Sequence, residues 1–378
     1  MKQNYFYSKC LLLLLFLTLV SCGTDDSNNY VAVPIDPEPP IAVSPVEVDL
    51  TKIPYAKLSE YKFFEGDMKN QTPSLDVIPY EPASSLFTDY AHKKRFVWLP
   101  KGTQATYNGN DNVYEFPVGT ALVKTFYYEN AAPNNTQKII ETRLLIRKAD
   151  NWQAYTYIWN EDQTEAVLDV NNDGDFVPVT FTENGITKST NYHIPSNLDC
   201  YTCHKLNPTN EPNGLKMIPI GPKPQNLNTD YSYSGTSQNQ IAKWKSLGII
   251  PDNSPIAGRS TVDWRDTSKS LELRARSYID INCAHCHRTG GHCDYTDIRL
   301  NFSNTDMATV GLCMTPLFQV QDGPFVINAG NAENSEMVIR LSSDSPSLMM
   351  PIIGRSLVHE EGVQLIKDWI NAMPPNCR

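Results

Sequence analysis

Two copies of the pentapeptide Cys-x-x-Cys-His are the residues whose types and spacing specify a chemistry in this sequence. They are Cys200-Tyr201-Thr202-Cys203-His204 and Cys283-Ala284-His285-Cys286-His287. This spacing is typical of c-type haem attachment. Two thiols within one helical turn can form thioethers with the two vinyl groups of one haem, and the next imidazole can bind the iron. The sequence therefore predicts two covalently bound c-type haems, with attachment at Cys200, Cys203, Cys283 and Cys286 and proximal iron ligands at His204 and His287.

A zinc half-site, or a disulfide followed by an incidental histidine, is the alternative interpretation of each motif. A structural zinc site needs four ligands packed closely in space. No further cysteine lies between the two motifs, so the sequence offers no third pair for such a site. We therefore favour haem at both motifs.

Each iron has a second axial position, and methionine opposite histidine raises the reduction potential. For the second haem the predicted distal ligand is Met350, with Met349 as the alternative, because a Met-Pro step before a C-terminal helix resembles the distal loop of cytochrome c. For the first haem the prediction is Met217. The alternatives are His193, a residue from the β region such as His92, or an open five-coordinate iron.

The N-terminus predicts export and lipid anchoring. Two lysines precede the apolar run Leu11–Val20, which ends in small residues before Cys22, and this arrangement is typical of a secretory signal. The four residues ending at Cys22 resemble a bacterial lipobox, so residues 1–21 are predicted to be a lipoprotein signal peptide and Cys22 to be lipidated. An ordinary secretory signal with a chance cysteine is the alternative. Residues 22–48, rich in proline and polar side chains, are predicted to be a tether.

The cysteines that remain after signal removal, lipidation and haem attachment are Cys293, Cys313 and Cys377. An exported protein lies in a compartment that permits disulfides. The preferred pair is Cys293–Cys313, because both residues flank the second haem motif. Cys313–Cys377 is the alternative, and either choice leaves one thiol over.

The overall charge limits the partners of the chain. The 378 residues carry a formal net charge of −10, and a polyanion is a poor nucleic-acid binder. We therefore predict no nucleic-acid partner and a basic or weakly charged redox protein as the partner. With the export signal, the predicted location is the bacterial cell envelope, lipid-anchored to the outer membrane on its periplasmic face or at the cell surface.

Residues 49–190 read as β structure. Runs of β-branched and aromatic residues alternate there with turn clusters, which favours an antiparallel β-sandwich of seven to nine strands. Within it, Asp169–Asp175 resembles the first half of a calcium loop, but Thr180 stands where the bidentate acidic ligand is expected. A hairpin turn is therefore favoured for this segment.

Helical periodicity follows in the second half of the chain. It predicts helices over Gln238–Leu247, from Leu271 into Cys283, and from Gly362 to Met373. The last two resemble the crossing helices of class I cytochrome c. The predicted fold class is therefore multidomain β + α, with an N-terminal antiparallel β-sandwich followed by two cytochrome c-like α-helical haem segments, a first one over residues 191–255 and a class I cytochrome c-like domain with the second haem over residues 256–378.

Several segments together resemble an uncharacterised bacterial family of secreted or lipid-anchored di-haem c-type cytochromes, related in part to cytochrome segments of secreted sugar dehydrogenases. Cys293 departs from that family's pattern. The resemblance covers roughly residues 50–375 and implies haem binding, export and a redox partner such as a secreted dehydrogenase. It is carried by His193-Ile194-Pro195-Ser196, Gly221-Pro222, the run Ala275–His287, Met350-Pro351, and His359-Glu360-Glu361-Gly362-Val363.

The main hypothesis for function is an electron carrier whose two haems pass electrons between a donor dehydrogenase and an acceptor. One alternative is a di-haem peroxidase-like or other redox enzyme with an open distal site at the first haem. The other is a binding module, in which the β-sandwich grips a ligand and the redox centre is secondary. Wholly buried Trp98, Trp152 and Trp159 would argue against the binding module.

Overall fold

A computed structural model of the protein describes residues 42–207, 214–256, 258–320 and 323–377. Fourteen strands and seven helices are numbered here in chain order within these residues. Two short 3-10 helices, Leu58–Tyr61 and Met68–Asn70, lie on either side of the first strand. The strands are β1 Phe64–Glu65, β2 Thr72–Pro73, β3 Ile78–Pro79, β4 His92–Trp98, β5 Ala121–Ala131, β6 Thr136–Arg147, β7 Trp152–Trp159, β8 Ala166–Leu168, β9 Asp175–Glu183, β10 Ile186–Ile194, β11 Lys205–Leu206, β12 Lys216–Met217, β13 Asp230–Tyr233 and β14 Thr236–Asn239. The helices are α1 Asn197–His204, α2 Pro224–Leu227, α3 Gln240–Ser246, α4 Leu271–Cys283, α5 Met307–Val310, α6 Glu336–Leu341 and α7 Glu360–Asn371.

Eight strands form one antiparallel sheet with the order β10-β9-β5-β6-β7-β8, and β3 and β4 join it beside β5. The long central strands are rich in β-branched and aromatic residues, which fit a pleated and buried surface. Asn184 and Gly185 join β9 to β10 as a two-residue turn, and both have positive φ. This conformation matches the twist of the hairpin, and asparagine and glycine adopt it readily.

The two faces of this sheet bury different parts of the chain. On one face Phe96, Val123 and Leu144 pack against Leu58 and Tyr61 from the N-terminal residues. On the other face Val97 and Leu122 pack in a cluster with Met217, Leu227 and Trp244, all from the second half of the chain. Successive side chains of a strand point to opposite faces, so these two clusters lie on opposite sides of the sheet. Tyr201 of the first Cys-x-x-Cys-His motif packs against the second cluster, so the second face is the one toward that motif.

Helices α4 and α7 form the core of the region around the second motif. Ile279 of α4 and Ile366 and Trp369 of α7 are buried in one cluster. Gly362 lies where the helices approach most closely, since a Cβ atom there would stand 2.3 Å from the hydroxyl oxygen of Tyr278. The predicted helices over 238–247, 271–283 and 362–373 are confirmed in type, with small shifts at their ends.

The predicted fold class is wrong, because the helical haem segments are not seen. The described residues are mostly strands, and only α4 and α7 are longer than eight residues. The first motif lies on the eight-residue helix α1, which is followed at once by the strand pair β11–β12 rather than by a helical domain. The periodicity identified individual helices, but proline and glycine between them favour turns.

The preferred disulfide is also wrong. Cys313 bonds to Cys377, and Cys293 is a free, buried thiol. Proximity along the chain favoured Cys293, but the fold brings the C-terminus back to Cys313. The bond therefore closes a segment that contains α6 and α7, with a sequence separation of 64 residues.

The predicted signal peptide, the lipidation site Cys22 and most of the tether lie outside the described residues. The described residues from Ser44 onward form one compact unit. Among the described residues, no helix is both long and apolar enough to cross a membrane.

Candidate functional site

Helix α1 carries the first motif, and its N-terminus is fixed by a capping box. The Ser196 hydroxyl accepts a hydrogen bond from the amide of Asp199 at 3.2 Å, and the Asp199 carboxylate accepts one from the amide of Ser196 at 3.0 Å. This reciprocal pair satisfies two of the amides that a helix start leaves unpaired.

The turn between β8 and β9 packs against this helix start. Gly174 has φ +71°, and a Cβ atom there would stand 2.2 Å from the carbonyl oxygen of Ile194. Asp169 accepts hydrogen bonds from the amides of Asn172 and Gly174, so its carboxylate closes the turn. The segment is therefore a turn, but the hairpin interpretation of Asp169–Asp175 is wrong, because β8 pairs with β7 whereas β9 pairs with β10 and β5.

His204, the predicted proximal ligand of the first motif, is held in one orientation. Its Nδ1 donates to the carbonyl oxygen of Ile218 at 2.6 Å, across the strand pair that follows the helix. A carbonyl can only accept, so Nδ1 carries the proton and Nε2 keeps its lone pair. Histidine ligands of metals commonly use their other nitrogen in this way. Burial lowers the pKa of His204 to about 4, and the charge of Lys124 contributes in the same direction.

The second motif begins at the last residue of α4. The amides of Cys286 and His287 both donate to the carbonyl oxygen of Cys283, at 3.1 and 3.0 Å, so the motif continues as a tight turn. The carbonyl oxygen of His287 accepts from the amide of Leu300 at 2.9 Å. The Nδ1 atom of His287 is buried and has no hydrogen-bond partner among the described residues.

A cavity of about 410 Å³ opens in front of this motif. Its walls include the predicted attachment residues Cys283 and Cys286, the predicted proximal ligand His287, and the predicted distal ligand Met350. The remaining walls are mainly apolar, with Ile279, Leu300, Val326 and Leu341 among them. The structure thus brings together all four residues that the sequence analysis assigned to the second haem.

The segment that carries Met350 is clamped by Arg355, which is buried. Arg355 donates to the carbonyl oxygen of Met350 from Nε at 3.1 Å and from Nη2 at 2.8 Å, and to that of Ser343 at 2.8 Å. Met349, the alternative ligand, is also buried but does not line the cavity. Of the two methionines, Met350 is therefore the one on the wall of the cavity.

The two motifs lie against each other. The ligand atoms of Cys203, His285 and Cys286 are within 4.8 Å of one another, and the Cys286 Sγ is 4.0 Å from the carbonyl oxygen of Thr202. Cys203 also lines the cavity of the second motif. His285 is half-buried at this junction. Nothing in the spacing of the motifs predicted this contact.

The structure does not bring Met217 together with the first motif in the same way. Met217 lines a different cavity of about 390 Å³ beside Trp152 and Tyr201, and the walls of that cavity include none of the first motif's cysteines or His204. Its neighbour Ile218 accepts from His204 Nδ1, whereas a distal ligand must lie across the iron from Nε2. The assignment of Met217 stays a prediction that no contact supports.

The two alternative ligands of the first haem have other partners. His193 stacks on Phe176 at 4.5 Å, and its Nε2 lies 3.7 Å from Asp199. His92 is opposite Tyr127 in the β4–β5 register, and this places it on the sheet face away from the motif.

His359 is largely withdrawn from solvent, with 11% of its side chain exposed. Its ring stacks on Phe87 at 4.1 Å, and a 3.0 Å hydrogen bond joins its Nδ1 to the Tyr278 hydroxyl. Burial lowers the pKa of His359 to about 4. The residues next to His359 in the chain do not indicate that it is withdrawn from solvent. Phe87, which covers its ring, comes from a distant part of the chain.

These residues fit covalently bound haem. The cavity volume lies within the range of ~300–1,000 Å³ that is usual for cofactor sites. The cavity joins two thiols, an imidazole with an unpaired buried nitrogen and a thioether, which is the donor set of His/Met haem ligation. At the first motif, the fixed orientation of His204 fits an iron ligand.

Comparison with known proteins gives one distant likeness. Over 224 residues the chain is 23% identical to the photosynthetic reaction center cytochrome c subunit of Rubrivivax gelatinosus (strain NBRC 100245 / IL144). The match covers 50% of this chain and 60% of that protein. No family model matches the chain, and no solved structure gives a significant match. The likeness points to cytochrome c at a distance and does not assign the chain to a family.

Proposed function

We propose that this protein is an electron carrier that holds two c-type haems, one at each Cys-x-x-Cys-His motif. The distant likeness to a cytochrome c subunit supports the haem and the electron-transfer role. The observation that carries the proposal is the cavity in which Cys283, Cys286, His287 and Met350 meet, with Cys203 of the first motif on its wall. A pocket for a single small substrate would have no need of Cys203, an attachment cysteine from the other motif, on its wall.

When bound, the haems supply reversible one-electron chemistry, and the protein sets their potential through ligands, burial and hydrogen bonds. His204 is oriented by Ile218. Met350 is held in place by Arg355. The apolar walls around the second motif exclude water, which favours a stable low-spin site over one that exchanges ligands with solvent.

The contact between the motifs supports transfer within one chain. The sulfurs of Cys203 and Cys286 belong to different motifs and lie within 4.8 Å of each other. Attachment at these two sulfurs would bring the edges of two haems to adjacent points of the protein. An electron that arrives at one site would then have a short route to the other.

The proposed location is the bacterial cell envelope, with the protein tethered through a lipid on Cys22. The signal and lipobox patterns of the sequence support this location, as does the covalent haem that is attached outside the cytoplasm. The formal net charge of −10 suits a basic or weakly charged redox protein as partner, such as a secreted dehydrogenase.

The test is a haem count together with spectra of the purified protein. We expect two haems per chain in a pyridine haemochrome assay and a methionine-to-iron charge-transfer band in the oxidised absorption spectrum. Met350→Ala should abolish this band while keeping both haems attached. Met349→Ala is the matched control and should retain it. A chain without haem would refute the proposal, and loss of the band in Met349→Ala alone would move the ligand to Met349.

A redox enzyme with an open site at the first haem is the second candidate, and the placement of Met217 favours it. Met217 lies in another cavity than the cysteines of that motif. A high-spin signal from one haem, with turnover of peroxide, would establish this alternative, whereas two low-spin haems without turnover would exclude it. The binding-module hypothesis has less support, since Trp152 and Trp159 are buried and Trp98 is half-buried.

A further inference from the structure

A row of cations crosses the sheet on the face that looks toward the first motif. Arg95 of β4 is directly opposite Lys124 of β5, and Lys124 is directly opposite Arg143 of β6. Directly opposed residues share a face of the sheet, so the three side chains point the same way. Lys93, two residues before Arg95, lies on this face as well.

The same face packs against the first motif. Leu122, two residues before Lys124, is buried in the cluster that Tyr201 of the motif packs against. Lys124 is on the same face as Leu122, two residues along the strand, so it lies on the side of the sheet that faces the motif.

Charge balance within the protein is incomplete in this row. Like charges directly opposite each other destabilise a sheet. The buried acid in the row is Glu141, and it is already engaged by Arg143, whose Nε donates to it at 2.8 Å, and by the Tyr192 hydroxyl at 2.7 Å. Its single negative charge is therefore already paired with Arg143.

Lys124 has the least compensation. Its ammonium stands 4.7 Å from the centre of the Phe126 ring, and it forms no ion pair or hydrogen bond with the residues that the structure describes. Arg95 is buried, and its ion pair is a 4.0 Å contact with the half-exposed Glu81. The Lys93 ammonium donates to the carbonyl oxygen of Ala91. Withdrawing a cation from water without an anionic partner costs free energy. An anionic ligand bound at the row would offset this cost.

We propose that Lys124 and Arg95, supported by Arg143, bind the carboxylates of the haem attached at Cys200 and Cys203. This inference rests on the proposed function, because it requires haem at the first motif. Haem carries two carboxylates at the edge remote from its thioethers, and charged donors such as lysine and arginine form the strongest hydrogen bonds to carboxylates. The row would thereby orient the first haem and raise its reduction potential, since positive charge disfavours the oxidised iron.

The experiment compares Lys124→Met with the matched control Lys94→Met. Lys94 is on the same sheet, but it lies opposite Thr125 and so points to the other face. Both variants remove one lysine charge. We expect both to keep two haems per chain by pyridine haemochrome, which tests the proposed function separately. In Lys124→Met alone, the potential of the first haem should fall and the propionate bending modes in the resonance Raman spectrum should shift.

Charge and structural roles are separated by rescue. Lys124→Arg should restore the potential and the propionate modes, because it retains the cation. If Lys124→Met does not accumulate, Arg95→Gln and Lys124→Gln provide the same comparison. Unchanged potential and propionate modes in a fully loaded Lys124→Met protein would overturn the inference while leaving the proposed function intact. Wild-type protein without haem would overturn both.

Discussion

The two Cys-x-x-Cys-His motifs have the same five-residue pattern but opposite surroundings. The first lies on an eight-residue helix between strand β10 and the strand pair β11–β12, against a sheet face with a row of cations. The second ends a 13-residue helix that packs against the 12-residue helix α7, in front of an apolar cavity. His204 has its Nδ1 fixed by a backbone carbonyl, whereas the buried Nδ1 of His287 is unpaired within the described residues.

Under the proposed function, each motif would supply the attachment chemistry, and its surroundings would set the properties of its iron. The second site has a methionine on its cavity wall. The first site has positive charge nearby and no methionine on a shared cavity wall in the part of the chain that the structure describes. We therefore expect two haems with distinct potentials. The four predictions below test whether each set of contacts acts on its own motif.

The largest effect on stability is expected from removing the disulfide, whose two cysteines both follow the second motif in the chain. The double variant Cys313→Ser/Cys377→Ser opens a loop with a sequence separation of 64 residues. In the chain-entropy description, this should lower the free energy of unfolding by about 4 kcal/mol. Urea unfolding followed by far-UV circular dichroism measures it. Cys293→Ser is the control, and a loss of similar size there would restore the pairing that the sequence favoured.

The next effect is a pH dependence that arises near the second region, at His359. Burial lowers its pKa from 6.5 to about 4; among its charged neighbours, Glu361 raises the pKa, and Lys93, Arg265 and Arg355 lower it. Because the unfolded chain binds a proton first, stability is complete above pH 6.5 and is lost as the pH falls toward 4, by about 3 kcal/mol.

Urea unfolding at a series of pH values measures this loss. His359→Gln retains a hydrogen-bonding group toward Tyr278 but does not titrate, so its stability should depend less on pH over this interval. An equally steep profile in the variant would assign the loss to other groups.

Gly362→Ala should cost about 2 kcal/mol, because the added methyl group overpacks a buried contact. Its Cβ atom would stand 2.3 Å from the Tyr278 hydroxyl oxygen, and Tyr278 is buried. The helices α4 and α7 must separate to accept it. We expect a lower thermal midpoint and a weakened methionine-to-iron band, with the first haem unchanged. The matched control is Gly258→Ala, since Gly258 has no atom within 4 Å of its Cβ position and no positive φ. A perturbed first haem would show that the two regions are not independent.

The smallest effect concerns the helix caps, one in each region. Ser196→Ala removes the cap of α1, where the Ser196 hydroxyl accepts from the amide of Asp199. Ser270→Ala removes the cap of α4, where the Ser270 hydroxyl accepts from the amide of Leu273 at 3.3 Å. Each should cost about 1 kcal/mol. Hydrogen exchange should show faster local opening of α1 in Ser196→Ala and of α4 in Ser270→Ala. Faster opening of both helices in one variant would mean that the motifs unfold as a single unit.

Several of these features could be predicted from the sequence, and they are the local ones. The helix over 271–283 follows from its apolar spacing, and the turn at Asp169–Asp175 follows from its asparagine, aspartate and glycine residues. The predicted fold class failed, because periodicity identifies one helix at a time and does not count how many helices pack together. The disulfide prediction failed for a related reason, since closeness along the chain does not determine which thiols meet.

The amino-acid sequence by itself determined the attachment chemistry, because two thiols and an imidazole within five residues are a local arrangement that any helical turn presents. It also determined Met350 as the candidate ligand, through a dipeptide next to a helix. Only the tertiary structure decided that Cys203 meets Cys286, that His359 stacks on Phe87, and that Arg95, Lys124 and Arg143 form one row. These contacts join residues far apart in the chain. Strand register and helix packing fix them, and no local pattern encodes either.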